Sequence, residues 1–251
     1  MIAKNVSEFL NHIKEITYDN GQVSWYRGHF DERWELKPSV WRDFDRKEER
    51  EMNHEFLWKA KSRTNNPPNE KDWSAWLSMM QHYGLPTRLL DWSKSPLIAL
   101  YFAINKYYRT KITQTHASVW VLFPGQLNQV SNSESFIYSI YTEIARKMIE
   151  PAFVNPKYTV ENESIIAVSA VETDMRMLTQ QSAFTIHSSQ LGLEKYTENE
   201  KYLKKIIIPS EFIDEMAFEL ELLGYRPSQV FPDLEHLSLE IKHRYLGLIS
   251  P

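Results

Sequence analysis

"QHYGLPTRLLDWSKSPLIALYFA", residues 81–103, sets His82, Tyr83, Thr87, Arg88 and Asp91 directly ahead of an apolar run. Gly84 reads as the stop of a preceding helix, and Leu85-Pro86 turns the chain. Ser95-Pro96 reads as a helix start, with Ser at the cap and Pro at the first helical position. The helix that follows, "LIALYFAINKYY", is apolar nearly all round and is expected at the centre of the fold. Polar side chains crowded against such a segment are costly to bury unless they are paired or used.

Working outward, "MIAKNVSEFLNHIKE" reads as an amphipathic helix, with Val6, Phe9, Leu10, Ile13 and Ile16 at helical spacing. "QVSWYRGHF" (22–30) follows the turn signal Asn20-Gly21 and has the character of a strand. "WELKPSVWRDF" (34–44) reads as a loop pinned by Pro38. Residues 46–61 read as a helix whose buried stripe is Met52, Phe56, Leu57 and Ala60. Residues 73–83 form a helix capped by Asp72, with Trp73, Trp76, Leu77 and Met80 on one side and His82 opposite. Strands are predicted at 117–123, 164–170, 182–188 and 204–209, and helices at 139–149, at 210–224 and at the C-terminal end. Helices and strands interleave without strict alternation. The pattern predicts an α+β fold in a single domain, with small mixed or antiparallel sheets flanked by helices.

The aromatic share of 13%, with 8 Trp, predicts a cooperative, aromatic-rich core. A net charge of −4 argues against a protein that coats nucleic acid by general attraction. The absence of cysteine removes disulfides, thiolate nucleophiles and Cys-based zinc sites. The first helix lacks the apolar run of a signal peptide, and no segment reaches the ~20 apolar residues of a membrane span, so a cytoplasmic protein without membrane contact is expected.

Known catalytic signatures are missing: there is no phosphate-binding G-x-x-x-x-G-K-[ST], no G-x-G-x-x-G, no H-E-x-x-H and no G-x-S-x-G. Chemistry is instead expected at two places. In "WYRGH" (25–29), Arg27 offers a fork of donors for phosphate or carboxylate, and Gly28 removes a Cβ that would block close approach; Arg27 paired with a buried acid is the structural alternative. In residues 81–91, the N-terminus of the following helix suits an anion. There His82 reads as a general base, a ribose partner or a packing residue, while Asp91 could equally satisfy Arg88 and Thr87 make a turn hydrogen bond. A weaker third element is "RMLTQQSAFTIH" (176–187), whose Gln180 and Gln181 precede an apolar strand. No metal ligand set is apparent.

Tyr26-Arg27-Gly28, "LKPSVWR", "QHYGLPTRLLDWSKSPLIALYFA", "RMLTQQSAFTIH" and "VFPDLEHLSLEIKHRY" together resemble the FRG domain in order and spacing. The resemblance divides the chain into an N-terminal helix, 1–21, packed on an FRG domain, 22–251. It implies a bacterial or phage protein found near defence or mobile genes. The motif order is further similar to ADP-ribosyltransferase-like proteins. That likeness implies Arg27 on the phosphates or ribose of NAD, Thr87 in the middle role, and Gln180 or a nearby acid near the acceptor or the nicotinamide ribose. Tyr26, Gly28, Tyr83, Arg88 and Asp91 complete the implied pocket, with Tyr83 placed to stack on nicotinamide.

Splitting the nicotinamide–ribose bond builds positive charge on the ribose, so the chemistry asks for a carboxylate from Asp91, Glu143, Glu172 or Asp174. Three readings follow: an NAD-consuming transferase or hydrolase of toxin or phage-defence type, with a protein or nucleic-acid acceptor; a non-catalytic module sensing a nucleotide or another phosphorylated small molecule; and a nucleic-acid-acting protein.

Overall fold

The computed structural model describes residues 1–105, 115–155, 157, 163–170 and 175–246. The centre is one seven-stranded sheet in the order β4-β5-β6-β2-β1-β3-β7. In chain order the strands are β1 (Trp25–His29), β2 (Leu89–Ser93), β3 (Ala117–Leu122), β4 (Tyr138–Ser139), β5 (Ile165–Ser169), β6 (Ser182–His187) and β7 (Leu203–Ile208). Every neighbouring pair is antiparallel except β4 with β5. The α+β expectation holds, but a single sheet replaces several small ones.

Side chains alternate across the sheet, as the two-residue period of a strand requires. Leu90, Trp92, Ile165, Ala167 and Ala183 join one core with helices α1 (Val6–Asn20), α5 (Pro96–Ile104) and α9 (Ile213–Leu222). Leu89, Ile166, Val168, Phe184 and Ile186 join the other, with α3 (Arg46–Ala60), α4 (Trp73–His82) and α7 (Glu143–Ile149). Both faces are therefore covered. In α1, Val6, Phe9, Ile13 and Ile16 are buried as expected, whereas Leu10 faces out.

Helix α5 begins where the sequence predicts. The Ser95 hydroxyl accepts from the Ile98 amide at 3.4 Å, and Pro96 takes the first turn. Ile98, Leu100 and Ile104 are all buried, each worth about 1.5–3 kcal/mol relative to exposure. Gly28 lies directly beneath this helix: a Cβ there would stand 2.0 Å from the Ala99 carbonyl oxygen and 2.6 Å from the Ala103 amide nitrogen. The close approach that Gly28 permits is thus that of α5. The expectation that it clears space for a ligand is corrected on this geometry.

Three further local readings change. Residues 34–44 contain a short helix, α2 (Val40–Asp43). Pro124, just past the predicted strand 117–123, opens a helix not predicted from the sequence, α6 (Pro124–Asn132). On α3 the buried residues are Glu49, Asn53 and Leu57, while Met52, Phe56 and Ala60 are only half-buried. The Asn53 amide donates to the Ala152 carbonyl at 2.9 Å. Glu49 binds Arg88, whose Nε and Nη2 donate to the two carboxylate oxygens at 2.8 and 2.5 Å. Arg88 Nη1 also donates to the Met148 carbonyl at 2.7 Å, and the guanidinium lies 5.4 Å from the Trp41 ring centre.

Arg88 is thereby an interior bolt between β2, α3 and α7. Removing one member of a buried ion pair leaves the other charge unsatisfied, at a cost of about 3–5 kcal/mol. Arg88→Met and Glu49→Leu should each lower the urea-unfolding free energy by about that amount. The double variant should recover most of the loss, because no unpaired charge remains. Additive losses in the double variant would contradict the assignment.

Candidate functional site

Strand β1 pairs with β3 along its whole length, from Trp25↔Leu122 to His29↔Ser118. With β2 it pairs at a single position, Tyr26↔Ser93. Beyond that pair the two strands part, and the Arg27 guanidinium bridges the gap by donating from Nη1 to the Asp91 carbonyl oxygen at 2.7 Å. A cleft of about 350 Å³ opens at this parting, lined by both strands and by parts of α4, α5 and α8 (Met175–Thr179). Its volume falls at the lower end of small-molecule sites, about 300–1,000 Å³.

Arg27 is half-buried on the wall of this cleft. Its Nε–H donates to His29 Nε2 at 3.2 Å, which puts the imidazole proton on Nδ1. Burial brings the Arg27 pKa down to about 10; Asp91 opposes that change and the like charge of Arg42 adds to it. Arg27 stays protonated at neutral pH, and among the described residues it forms no ion pair with a carboxylate. Arg42 stands exposed at the rim, its Nε and Nη2 donating to the Lys37 carbonyl at 3.1 and 3.0 Å. Arg176 supplies a third guanidinium, with its Cζ 5.0 Å from the Phe231 ring centre. Phe30, Trp34 and Phe102 give aromatic surface, and Trp34 is half exposed. Among the described lining residues Asp91 is the one carboxylate, on an exposed side chain.

The structure brings Tyr26, Arg27, Gly28, His82, Asp91 and Gln180 to this one cleft. It places the other candidates elsewhere. Arg88 is fully buried on Glu49 and is structural, because the packed interior leaves a ligand no access to it. Thr87 is also fully buried; its hydroxyl donates to Gln81 Oε1 and accepts from the Leu89 amide at 3.1 Å. Tyr83 is 71% exposed and lines a separate apolar groove with Met52, Phe56 and Met79. Gln180 does line the cleft, but its side-chain amide donates to the Val230 carbonyl at 3.2 Å. His82, at the end of α4, packs edge-on against Tyr83. Of the acids considered, Glu143 pairs with Arg146, and Glu172 and Asp174 lie outside the described residues. Arg42, Gln81, Trp34 and Arg176 were not singled out by sequence reasoning. Arg42 and Arg176 lie inside two of the quoted blocks, "LKPSVWR" and "RMLTQQSAFTIH", but nothing in their spacing separates them from surface cations.

Among the described residues no group of three or more His, Cys, Asp or Glu side chains is placed to hold a metal ion. No helix among them is long and apolar enough to cross a membrane. The fold and site define an α+β protein with a basic, aromatic-lined cleft between its central strands. Residues 22–111 match the family model for the FRG domain, and the chain carries an FRG domain over that span. The match takes in β1, β2, α4 and α5, while the Arg176–Gln180 wall lies beyond it. Neither a curated protein nor a solved structure matches the chain.

Two histidines near Arg27 are held neutral. Burial, then the positive charges of Arg27 and Arg42, lowers the His29 pKa to about 3. Burial, then Arg27, does the same for His187, whose Nε2 lies 2.8 Å from the Thr185 hydroxyl. Unfolding restores both to about 6.5. Below that pH the unfolded chain binds protons that the folded one refuses, so this stability is complete above pH ~6.5 and is lost as pH falls towards 3. Each histidine should add a slope of up to about 1.4 kcal/mol per pH unit. Urea unfolding between pH 7 and 4.5 should show the decline, and His29→Gln or His187→Gln should flatten it; parallel slopes in wild type and both variants would contradict it.

Proposed function

We propose that the cleft binds a nucleotide or a closely similar phosphorylated small molecule. The observation that carries this reading is Arg27: a half-buried guanidinium whose hydrogen-bond partners, a carbonyl and an imidazole, do not neutralise it. A second guanidinium, Arg42, disfavours its charge further, against the larger opposing effect of Asp91. Two cations facing one cleft gain most from a shared anion, and a guanidinium fork suits phosphate oxygens. Trp34 and Phe30 offer a flat apolar face to a base, alongside the charge.

A second reading, NAD cleavage by a transferase or hydrolase of toxin or defence type, is favoured by one observation. Asp91 shares the cleft with Arg27, and a carboxylate is the group that stabilises a positively charged ribose. In that reading Asp91 takes the electrostatic role and His82, also in the cleft, remains the candidate base. Thr87 and Gln180 act as supports, because their side chains are engaged with the protein.

Calorimetric titration with ADP, GDP, CDP, UDP and NAD tests both readings. At least one compound should bind, and Arg27→Ala should weaken it about 10–100-fold, as expected for loss of a charge-assisted hydrogen bond. Unchanged affinity in Arg27→Ala, or no binding at millimolar ligand, would refute the nucleotide reading. Release of nicotinamide from NAD that disappears in Asp91→Asn would select the second reading, and NAD bound but intact would reject it.

A further inference from the structure

We infer that Thr87 and Gln81 form a positioning relay that presents Asp91 to the sugar hydroxyls of the ligand, so that the cleft selects ribonucleotides over their 2′-deoxy counterparts. The inference rests on the nucleotide reading and adds a specificity to it.

The relay follows from donor and acceptor counts. A threonine hydroxyl has one proton. The Thr87 oxygen accepts from the Leu89 amide at 3.1 Å, and its proton goes to Gln81 Oε1. With its oxygen so engaged, Gln81 must turn its NH₂ the other way, and Nε2 donates to Asp91 Oδ2 at 2.7 Å. Thr87 is fully buried and accepts from the amide of Leu89, the first residue of β2, so the relay is anchored in the sheet. Among the described residues Asp91 Oδ1 carries no hydrogen bond. The carboxylate is therefore held by one oxygen and offers the other.

An ionised carboxylate only accepts, and it repels phosphate, so the ligand group facing it must donate. Arg27 binds the carbonyl of this same Asp91. A phosphate on Arg27 would thus lie within a residue's length of the carboxylate, about the reach from a nucleotide's phosphate to its own sugar. Vicinal ribose hydroxyls are the donors that a nucleotide carries there. Ser93, which also lines the cleft, is already engaged, its hydroxyl donating to the Gln180 carbonyl at 2.7 Å and accepting from the Ser95 amide at 3.0 Å.

The test is calorimetric titration of ADP, GDP, CDP and UDP, each against its 2′-deoxy counterpart, on wild type, Thr87→Ser, Thr87→Val and Gln81→Met. Wild type should bind a ribonucleotide about tenfold more tightly than its deoxy form, the scale of one hydrogen bond to a charged group. Thr87→Ser keeps the hydroxyl and should keep the preference. Gln81→Met and Thr87→Val should lose it while still binding the deoxy form. Thr87→Val also strips the Leu89 amide of its acceptor; Gln81→Met leaves that bond intact and decides the matter if the valine variant does not fold. Equal affinity of wild type for both sugars, or a preference that survives in Gln81→Met, would overturn the relay while Arg27-dependent binding stands. Absence of any nucleotide binding would overturn the relay together with the reading beneath it.

Discussion

Arg88 grips both oxygens of Glu49 in the dry interior, and the placement of β2 follows from that grip. The same side chain reaches the Met148 carbonyl, and its own carbonyl accepts from the His187 amide at 3.0 Å. One end of β2 is therefore tied to α3, α7 and β6. On the other side α5 presses its backbone onto Gly28 and fixes β1. The two strands are positioned by different partners and meet at one residue pair. Their parting is a consequence of the packing, and the cleft occupies it.

This arrangement divides the polar residues of 81–91 by burial. Arg88 and Thr87 point into the interior and hold the frame, whereas Gln81, His82 and Asp91 reach the cleft. Sequence spacing puts all of them in one segment; in the fold Gln81 and His82 end α4, Thr87 and Arg88 precede β2, and Asp91 alone lies within the strand. Strand β2 is not among the strands predicted from the sequence. The strand itself, flanked by Thr87-Arg88 and ended by Ser93, carries its signal in Leu89, Leu90 and Trp92, two of them buried on one face and one on the other.

Much of the frame was legible. The caps at Asp72 and Ser95 and the apolar runs of β3, β5, β6 and β7 mark their elements correctly, because capping and burial are local signals. The convergence of Arg27 with the 81–91 segment was legible only through the resemblance, since no periodicity links distant strands. Arg42 and Arg176 were not legible as site residues: an arginine at a cleft rim and one on any surface look alike until the chain is folded. Nor was the buried polar stripe of α3 legible, because Glu49 and Asn53 are buried on account of Arg88 and the Ala152 carbonyl, both far along the chain.

The central claim is that a phosphorylated ligand enters between β1 and β2 against Arg27. Its most direct test is ¹⁵N NMR of the wild-type protein during titration with the tightest-binding of ADP, GDP, CDP and UDP. The account predicts shifts in the Arg27 Nε–H and Trp34 indole signals and in the Gly28 and Ser93 amides. Shifts confined to the Met79, Tyr83 and Leu85 amides at the separate apolar groove, with Arg27 unmoved, would contradict it.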